Sequence, residues 1–187
     1  MQGDWSRSGV VGRRGFVKAG VSLLLAFGVA PRQARAMAVA PRRLKMFNTH
    51  TAERVDVVYF DGRNLVDGAL ATVDHVLRDF RTGEVHPMDP GVLDISWSLA
   101  QAAGRPAGTF EIISGYRSPA TNAMLHERSS GVAVHSMHLQ GKAIDLRLPG
   151  VSTERLRDLA IELRRGGVGF YRAPDFVHVD TGRVRRW

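Results

Sequence analysis

Two histidines and one aspartate stand at positions where the chain could hold a metal ion. His138 and Asp145 lie seven residues apart around Gly141, and His178 follows within the mostly apolar segment 176–179. Two imidazoles and one carboxylate form a three-ligand zinc site with an open fourth position. A water molecule bound there has its pKa lowered to about 7, which supplies hydroxide at neutral pH. This pattern predicts a zinc hydrolase.

Each ligand alone also has a purely structural explanation. Asp145 interrupts an apolar strand, where a carboxylate is costly unless it is paired or bound to metal. It could instead form a buried salt bridge with an arginine, and His178 could be a hydrogen-bonded core histidine. The occurrence of all three residues in this order favours the metal site.

Three motifs resemble those of zinc peptidases that cleave bacterial cell-wall peptides. Residues 136–145 read S-x-H-x-x-G-x-A-x-D, residues 114–118 read S-G-Y-R-S, and residues 176–182 read F-V-H-V-D-T-G. They occur in the order found in the superfamily of D-alanyl-D-alanine carboxypeptidases, lysostaphin-type enzymes and the hedgehog domain. The similarity extends over about residues 41–187 and is greatest to the murein endopeptidase K group.

The resemblance implies a role for four residues. His138, Asp145 and His178 would hold Zn²⁺, and Arg117 would contact the substrate. A guanidinium at a strand end could clamp a peptide carboxylate or stabilise an oxyanion, although a surface ion pair is the alternative for Arg117.

The general base is less clearly indicated. Many relatives carry an acidic residue three positions before the last histidine, which is Asp175 here, and we expect Asp175 to be the base. Asp180 competes, because positions 178 and 180 share a face of a regular strand whereas 175 and 178 do not. Alternatively, Asp180 could accept a hydrogen bond from a metal-binding imidazole and so fix the orientation of its ring. His135 is expected at the pocket rim and is the next candidate base.

Two further residues belong to the candidate site. Tyr116 could line the pocket or serve only in packing. Ser136 could bond to the substrate or to groups behind the ligands, or it could shape the loop before His138.

Composition excludes several other classes of protein. The absence of cysteine excludes disulfides, thiolate zinc sites and cysteine nucleophiles, and it is compatible with an oxidising compartment. The chain lacks H-E-x-x-H, S-x-x-K and G-x-S-x-G, so neither a thermolysin-like site nor serine acylation is supported.

The net charge of +8 falls to +3 without residues 1–38, which hold six basic residues and one acidic residue. This charge gives little support for nucleic-acid binding and is compatible with an anionic polymer as substrate.

Residues 1–38 have the features of a twin-arginine signal peptide. Arg13 and Arg14 precede an apolar run at 19–30, and A-x-A cleavage candidates follow at 34–40. The run is shorter than a membrane-spanning helix, which needs about 20 apolar residues. We expect export to the periplasm, no stable membrane span after cleavage, and one zinc-peptidase domain over residues 41–187. An uncleaved anchor or a disordered basic tail is the alternative.

Hydrophobic periodicity predicts an α+β fold in which helices pack on an antiparallel sheet. Asp89, Ser118 and Ser152 are predicted helix N-caps, the first two followed by proline. Strands are expected near 44–50, 54–60, 110–113, 142–148, 168–171 and 176–179, and helices near 66–81, 90–103, 119–126 and 153–165.

These patterns together predict a periplasmic zinc endopeptidase that cuts peptide cross-links in peptidoglycan. A carboxypeptidase that trims terminal D-alanine is an alternative, as is a wall-binding module that kept the fold without turnover. The sequence favours neither 3-3 nor 4-3 cross-links, and no pattern in it indicates an oligomeric state.

Overall fold

A seven-stranded sheet forms the centre of the fold in a computed structural model that describes residues 39–129 and 131–187. The spatial order of its strands is β2-β1-β3-β4-β6-β5-β7. The strands are β1 (Arg42–Asn48), β2 (Arg54–Phe60), β3 (Thr109–Ser114), β4 (Ala143–Arg147), β5 (Gly167–Tyr171), β6 (Phe176–Asp180) and β7 (Arg185–Arg186). The predicted signal peptide lies outside the described residues.

Helices connect and cover these strands. In the described ranges they are α1 (Asp67–Val76), α2 (Pro90–Ala102), α3 (Pro119–Arg128) and α4 (Thr153–Leu163), with a 3₁₀-helix at Met137–Gln140. The predicted N-caps are confirmed, because the side chains of Asp89, Ser118 and Ser152 each accept a hydrogen bond from a backbone N–H in the first turn.

The core lies on one face of the sheet. Ile144 and Leu146 of β4 and Val177 and Val179 of β6 are buried in it, and α2 and α4 supply the apolar side chains that join them. Because side chains alternate across a strand, Asp145, His178 and Asp180 lie on the opposite face. The strand period therefore separates the hydrophobic core from the polar site.

The predicted α+β class is confirmed, and the sheet is mixed in detail. Four of the described strand pairs are antiparallel, whereas β1 with β3 and β5 with β7 are parallel. Helix α1 ends at Val76 rather than near residue 81, because the chain turns there into a tight loop. Strand β7 and the 3₁₀-helix were not predicted, since two to four residues are too short to show a periodicity.

Within the part of the chain that the structure describes, none of the helices is long and apolar enough to cross a membrane.

Candidate metal centre

The site is built on one row of residues that runs across neighbouring strands. Ser114 of β3 pairs with Asp145 of β4, Asp145 pairs with His178 of β6, and His178 pairs with Gly169 of β5. Directly paired residues on adjacent strands present their side chains on the same face. Strand register thus brings together residues that are up to 64 positions apart in the sequence.

Three buried ligand atoms converge at the centre of this row. His138 Nε2 lies 3.2 Å from Asp145 Oδ1 and 3.1 Å from His178 Nδ1, and the last two atoms are 2.8 Å apart. Two ligand atoms bound about 2.0 Å from one tetrahedral ion are about 3.3 Å apart. His138, Asp145 and His178 therefore form a group whose size suits a single metal ion.

The outer nitrogen of each imidazole fixes which inner nitrogen carries a lone pair. His138 Nδ1–H donates to the Gly115 carbonyl at 2.6 Å, and His178 Nε2–H donates to Asp180 Oδ2 at 2.9 Å. In the neutral imidazoles the inner nitrogens are therefore unprotonated. Two nitrogen lone pairs and a carboxylate oxygen face one another in a buried space, and a cation there relieves their repulsion. The donor set thus fits the metal that the sequence predicts.

Burial and charge act differently on the three ligands. Burial lowers the pKa of His138. Burial also opposes protonation of His178, but the neighbouring carboxylates of Asp145 and Asp180 favour the protonated form, outweigh burial and raise the pKa of His178. Burial opposes ionisation of Asp145, yet His138, His178 and Arg117 hold the pKa of this carboxyl well below its usual range. Asp145 is thus an ionised carboxylate at neutral pH, as a metal ligand must be.

Asp180 lies behind His178, and both of its carboxylate oxygens accept hydrogen bonds. Its carboxylate accepts hydrogen bonds from Gly167 N–H at 3.1 Å and Gly182 N–H at 2.8 Å, in addition to His178. The Arg185 guanidinium binds both of its oxygens, at 2.7 and 3.0 Å. This pattern is typical of a carboxylate that orients a metal-binding imidazole.

Arg117 is paired with a ligand. Its Nη2 donates to Asp145 Oδ2, and its Nε donates to Ser114 Oγ at 2.9 Å. The sequence had offered a buried salt bridge as the alternative to metal binding by Asp145. The salt bridge is present, and it leaves the ligand position open, because Oδ2 faces Arg117 while Oδ1 faces the two imidazoles.

An open cavity of about 640 Å³ lies over the three ligands. On one side it is bounded by Trp187, whose indole lies 5.2 Å from the His178 ring and is 52% exposed. The indole sits over Gly169, where an added Cβ would lie 2.7 Å from it. Its Nε1–H donates to Tyr171 Oη at 3.0 Å. The cavity is large enough for several residues of a peptide.

The structure does not bring Asp175 to this cavity. Asp175 precedes β6 with φ of 54°, and its side chain is 59% exposed. Its carboxylate accepts a hydrogen bond from Thr153 Oγ1 at 2.7 Å and lies 3.7 Å from Arg147. Because Phe176 and His178 share the site face of β6, position 175 falls on the other face. The geometry gives no support to Asp175 as the general base.

The remaining candidates fall into two groups. His135 and Ser136 line the cavity, and Ser136 Oγ accepts a hydrogen bond from His138 N–H at 3.3 Å, which shapes the loop before the ligand. Tyr116 is buried away from the cavity lining and stacks on His86, with ring centroids 4.7 Å apart. Tyr116 therefore has the packing role rather than the pocket role.

Sequence reasoning missed Trp187, Arg185 and Arg81, which all line the cavity. Arg185 and Trp187 reach the site only because β7 pairs with β5. Arg81 lies in a loop where helix α1 had been expected to continue. None of the three belongs to a motif, and only the strand register and loop path reveal them.

The sequence matches one protein-family model over residues 36–187, the model described as peptidoglycan L,D-endopeptidase MepK. The chain belongs to this family. It is 39% identical over 168 residues to the peptidoglycan L,D-endopeptidase MepK of Escherichia coli K12. The aligned region covers 90% of this chain and 92% of that protein. It is 38% identical over 167 residues to a probable peptidoglycan L,D-endopeptidase MepK of Haemophilus influenzae, with 88% and 90% covered.

No solved structure matches the chain. The MepK family assignment confirms the resemblance to zinc peptidases of the murein endopeptidase K group. The matched region contains the whole strand row and all three candidate ligands.

Proposed function

We propose that this chain is a metallopeptidase that hydrolyses L,D-peptide bonds in the cross-links of peptidoglycan. Membership of the MepK family and 39% identity to the Escherichia coli MepK support this function. The observation that carries it is the convergence of two imidazole lone pairs and one carboxylate oxygen beneath an open cavity. An L,D specificity favours the 3-3 cross-link, in which an L-configured acyl centre is joined to a D-configured amine.

Zinc is the metal that we propose for this centre, with His138, Asp145 and His178 as its ligands. Two neutral imidazoles and a carboxylate suit zinc, and three protein ligands leave a position for water. Bound zinc supplies a Lewis acid that activates water and polarises the scissile carbonyl.

Two residues position the ligands in this proposal. Asp180 holds the tautomer and ring orientation of His178, and Arg185 and two backbone N–H groups hold Asp180. Arg117 fixes the orientation of Asp145 and presents guanidinium N–H donors at the cavity wall, where an oxyanion would develop.

We further propose His135 as the group that moves the proton. It lines the cavity, and imidazole is the side chain most often used for general acid–base catalysis. Asp145 is the one acidic residue among the described cavity-lining residues, and it is already bound to Arg117 and both histidines. His135→Gln should keep the metal and lower kcat by about 10²–10⁴-fold. His75→Gln, on the exposed side of α1, is the matched control and should keep wild-type kcat.

The central experiment digests purified cross-linked muropeptide dimers and resolves the products by mass. Wild-type protein should convert 3-3 dimers to monomers, lose this activity when a chelator removes the metal, and regain it with added zinc. His178→Ala should bind little zinc by elemental analysis and should not cleave, because two remaining ligands hold the ion weakly.

Other outcomes point to other functions. Release of alanine without separation of the dimer would indicate a carboxypeptidase. Binding of dimers without any product would indicate a module that lacks turnover. Stoichiometric zinc and full activity in His178→Ala would remove the ligand assignment.

We also propose that residues 1–38 direct export through the twin-arginine route and that the peptidase domain acts in the periplasm. The support is the order of Arg13-Arg14, the apolar run at 19–30 and the A-x-A sites. A relative named for action on peptidoglycan is consistent with a location outside the cytoplasm.

A further inference from the structure

Three of the described residues that line the cavity are arginines, and two of these arginines are paired with carboxylates. Arg117 is paired with Asp145, and Arg185 is paired with Asp180. Among the residues that the structure describes, no carboxylate lies within ion-pair distance of Arg81. Arg81 therefore brings to the cavity a guanidinium that has no ion-pair partner among the described residues, although the Asp79 carboxylate lies near enough to act on its charge.

The loop that carries Arg81 is fixed from behind by a buried carboxylate. Asp79 is 1% exposed, and its Oδ1 accepts a hydrogen bond from Arg81 N–H at 2.9 Å. Its Oδ2 accepts hydrogen bonds from Ser118 N–H at 2.9 Å and from Ser118 Oγ–H at 2.7 Å. Asp79 is thus committed to backbone and hydroxyl donors, and it ties the Arg81 loop to the start of α3.

Backbone hydrogen bonds close the same loop. Gly83 N–H donates to the Asp79 carbonyl at 2.7 Å, and Asp79 N–H donates to the Glu84 carbonyl at 3.0 Å. These two hydrogen bonds hold the loop in one conformation before a ligand binds. Binding then costs less conformational entropy than it would with a flexible loop.

An aromatic stack supports the guanidinium. The Arg81 guanidinium lies 4.1 Å from the centroid of the Phe80 ring, and the His50 ring stacks on Phe80 at 3.8 Å. Burial, and then the charge of Arg81, lower the pKa of His50, so this imidazole is neutral at pH 7. His50 and Arg81 both line the cavity, and the charge at this end of it belongs to Arg81.

We propose that Arg81 is a specificity-determining residue that binds a free carboxylate of a substrate held in the cavity it shares with the candidate metal ligands. This inference rests on the proposed peptidase function. A guanidinium binds a carboxylate through two parallel hydrogen bonds, and stem peptides of peptidoglycan carry free carboxylates. Arg81 would then hold the substrate while Arg117 stays with Asp145.

The test uses two stem-peptide ligands that lack the scissile bond and differ only in one carboxylate replaced by a carboxamide. Calorimetry measures the Kd of each ligand for the wild type, Arg81→Gln and Arg81→Lys. Arg81→Gln should weaken binding of the carboxylate ligand by about 10–100-fold and leave the carboxamide ligand unchanged, since hydrogen bonds to charged groups are worth about 1.5–3 kcal/mol. Arg81→Lys should recover part of the loss. In parallel cleavage assays KM should rise while kcat is retained.

Arg128→Gln is the matched control. Arg128 lies in the last turn of α3, is exposed and contributes to the positive field at Arg81, yet it does not line the cavity. Its Kd values for both ligands should remain at the wild-type level.

Equal weakening of both ligands in Arg81→Gln, or no weakening of either, would overturn the proposal. A wild type that does not discriminate between the two ligands would overturn it as well. Because binding is measured without turnover, a wild type that discriminates but cleaves no dimer would leave Arg81 supported and would count against the peptidase function alone.

Discussion

His178 is held so that one particular ring nitrogen faces the cavity. Its Nε2–H is bound to Asp180, and Asp180 is in turn held by Arg185, Gly167 and Gly182. Both ring nitrogens of His178 and both oxygens of Asp180 have polar neighbours, and a satisfied network of this kind fixes one arrangement. The same carboxylate therefore cannot also reach across His178 to take a proton from water.

Two single substitutions of aspartate by asparagine, one at Asp180 and one at Asp175, distinguish a carboxylate that orients His178 from a carboxylate that acts as the general base. Asp180→Asn should weaken metal affinity by about 10–100-fold, because it removes the charged partner that orients His178. Asp175→Asn makes the same chemical change on an exposed carboxylate and should retain both metal and cleavage. Competition with a chromophoric chelator gives the metal affinity, and dimer cleavage gives the rate.

If Asp175→Asn kept its metal and lost turnover, Asp175 would be the base after all, as the sequence predicts, and His135 would be excluded. This outcome would require the turn before β6 to reorganise when the substrate binds.

The elements around the site are tied together at a few buried positions, and the start of α3 is one of them. Ser118 caps α3 through its own hydroxyl and also donates to Asp79. Burial opposes ionisation of Asp79, but hydrogen bonds from Thr121, Ser118 and the Arg81 backbone lower its pKa to about 2. The ionised carboxylate is therefore favoured by the folded state.

This pKa predicts how acid affects stability. The pKa of Asp79 is lower in the folded state than in the unfolded state. Its ionised carboxylate therefore contributes its full share of the unfolding free energy above pH about 4, and this share is lost as the pH falls through about 2. A shift of this size corresponds to about 2 kcal/mol of unfolding free energy. Asp79→Asn should be less stable than wild type by about this amount at pH 6, and the difference should narrow at pH 2.5, as measured by urea unfolding.

Asp67→Asn is the control for this measurement. Asp67 lies exposed in the first turn of α1, and its substitution should change stability little at either pH. A difference between Asp79→Asn and wild type that stayed constant with pH would contradict the assignment of the charge to Asp79.

Strand β5 meets the C-terminal indole at a glycine. An added Cβ at Gly169 would lie 2.7 Å from the Trp187 ring, so the ring would have to move. Gly169→Ala should destabilise the fold by about 1–3 kcal/mol and displace the cavity wall beside His178. Gly68→Ala in α1 meets nothing within 4 Å and should be neutral or stabilising by up to about 1 kcal/mol.

Thermal unfolding measures the stability of both variants, and quenching of indole fluorescence by acrylamide reports on Trp187. Unchanged quenching together with wild-type stability in Gly169→Ala would show that the indole does not rest on β5.

At the scale of the whole molecule, the charge is distributed unevenly along the chain. Residues 1–38 hold six basic residues and one acidic residue, whereas the rest of the chain holds 20 and 17. An excess of basic residues in the first 38 positions is what the proposed signal peptide predicts.

Export should depend on the arginine pair. Replacement of Arg13 and Arg14 by lysine should leave the precursor in the cytoplasm, because the twin-arginine route recognises the guanidinium pair. The control replaces Arg32 and Arg35, which have the same charge and lie outside the pair. Cell fractionation and immunoblotting measure the distribution, and unchanged delivery of the Arg13, Arg14 variant would indicate the general secretion route.

The sequence by itself determined the features that depend on neighbouring residues. The helix caps at Asp89, Ser118 and Ser152 and the alternation of β6 are local patterns, because caps and strand periods are set by contacts within a few residues. The three candidate ligands were found because their types and spacing are unusual within apolar segments.

Only the tertiary structure decided the partners of those residues. Arg117 meets Asp145 across 28 positions, and Trp187 reaches His178 because the two-residue strand β7 pairs with β5. Asp175 faces α4 because of the turn before β6, and Arg81 enters the cavity because α1 ends early. Such contacts depend on strand register and packing between distant segments, and no local pattern in the sequence encodes them.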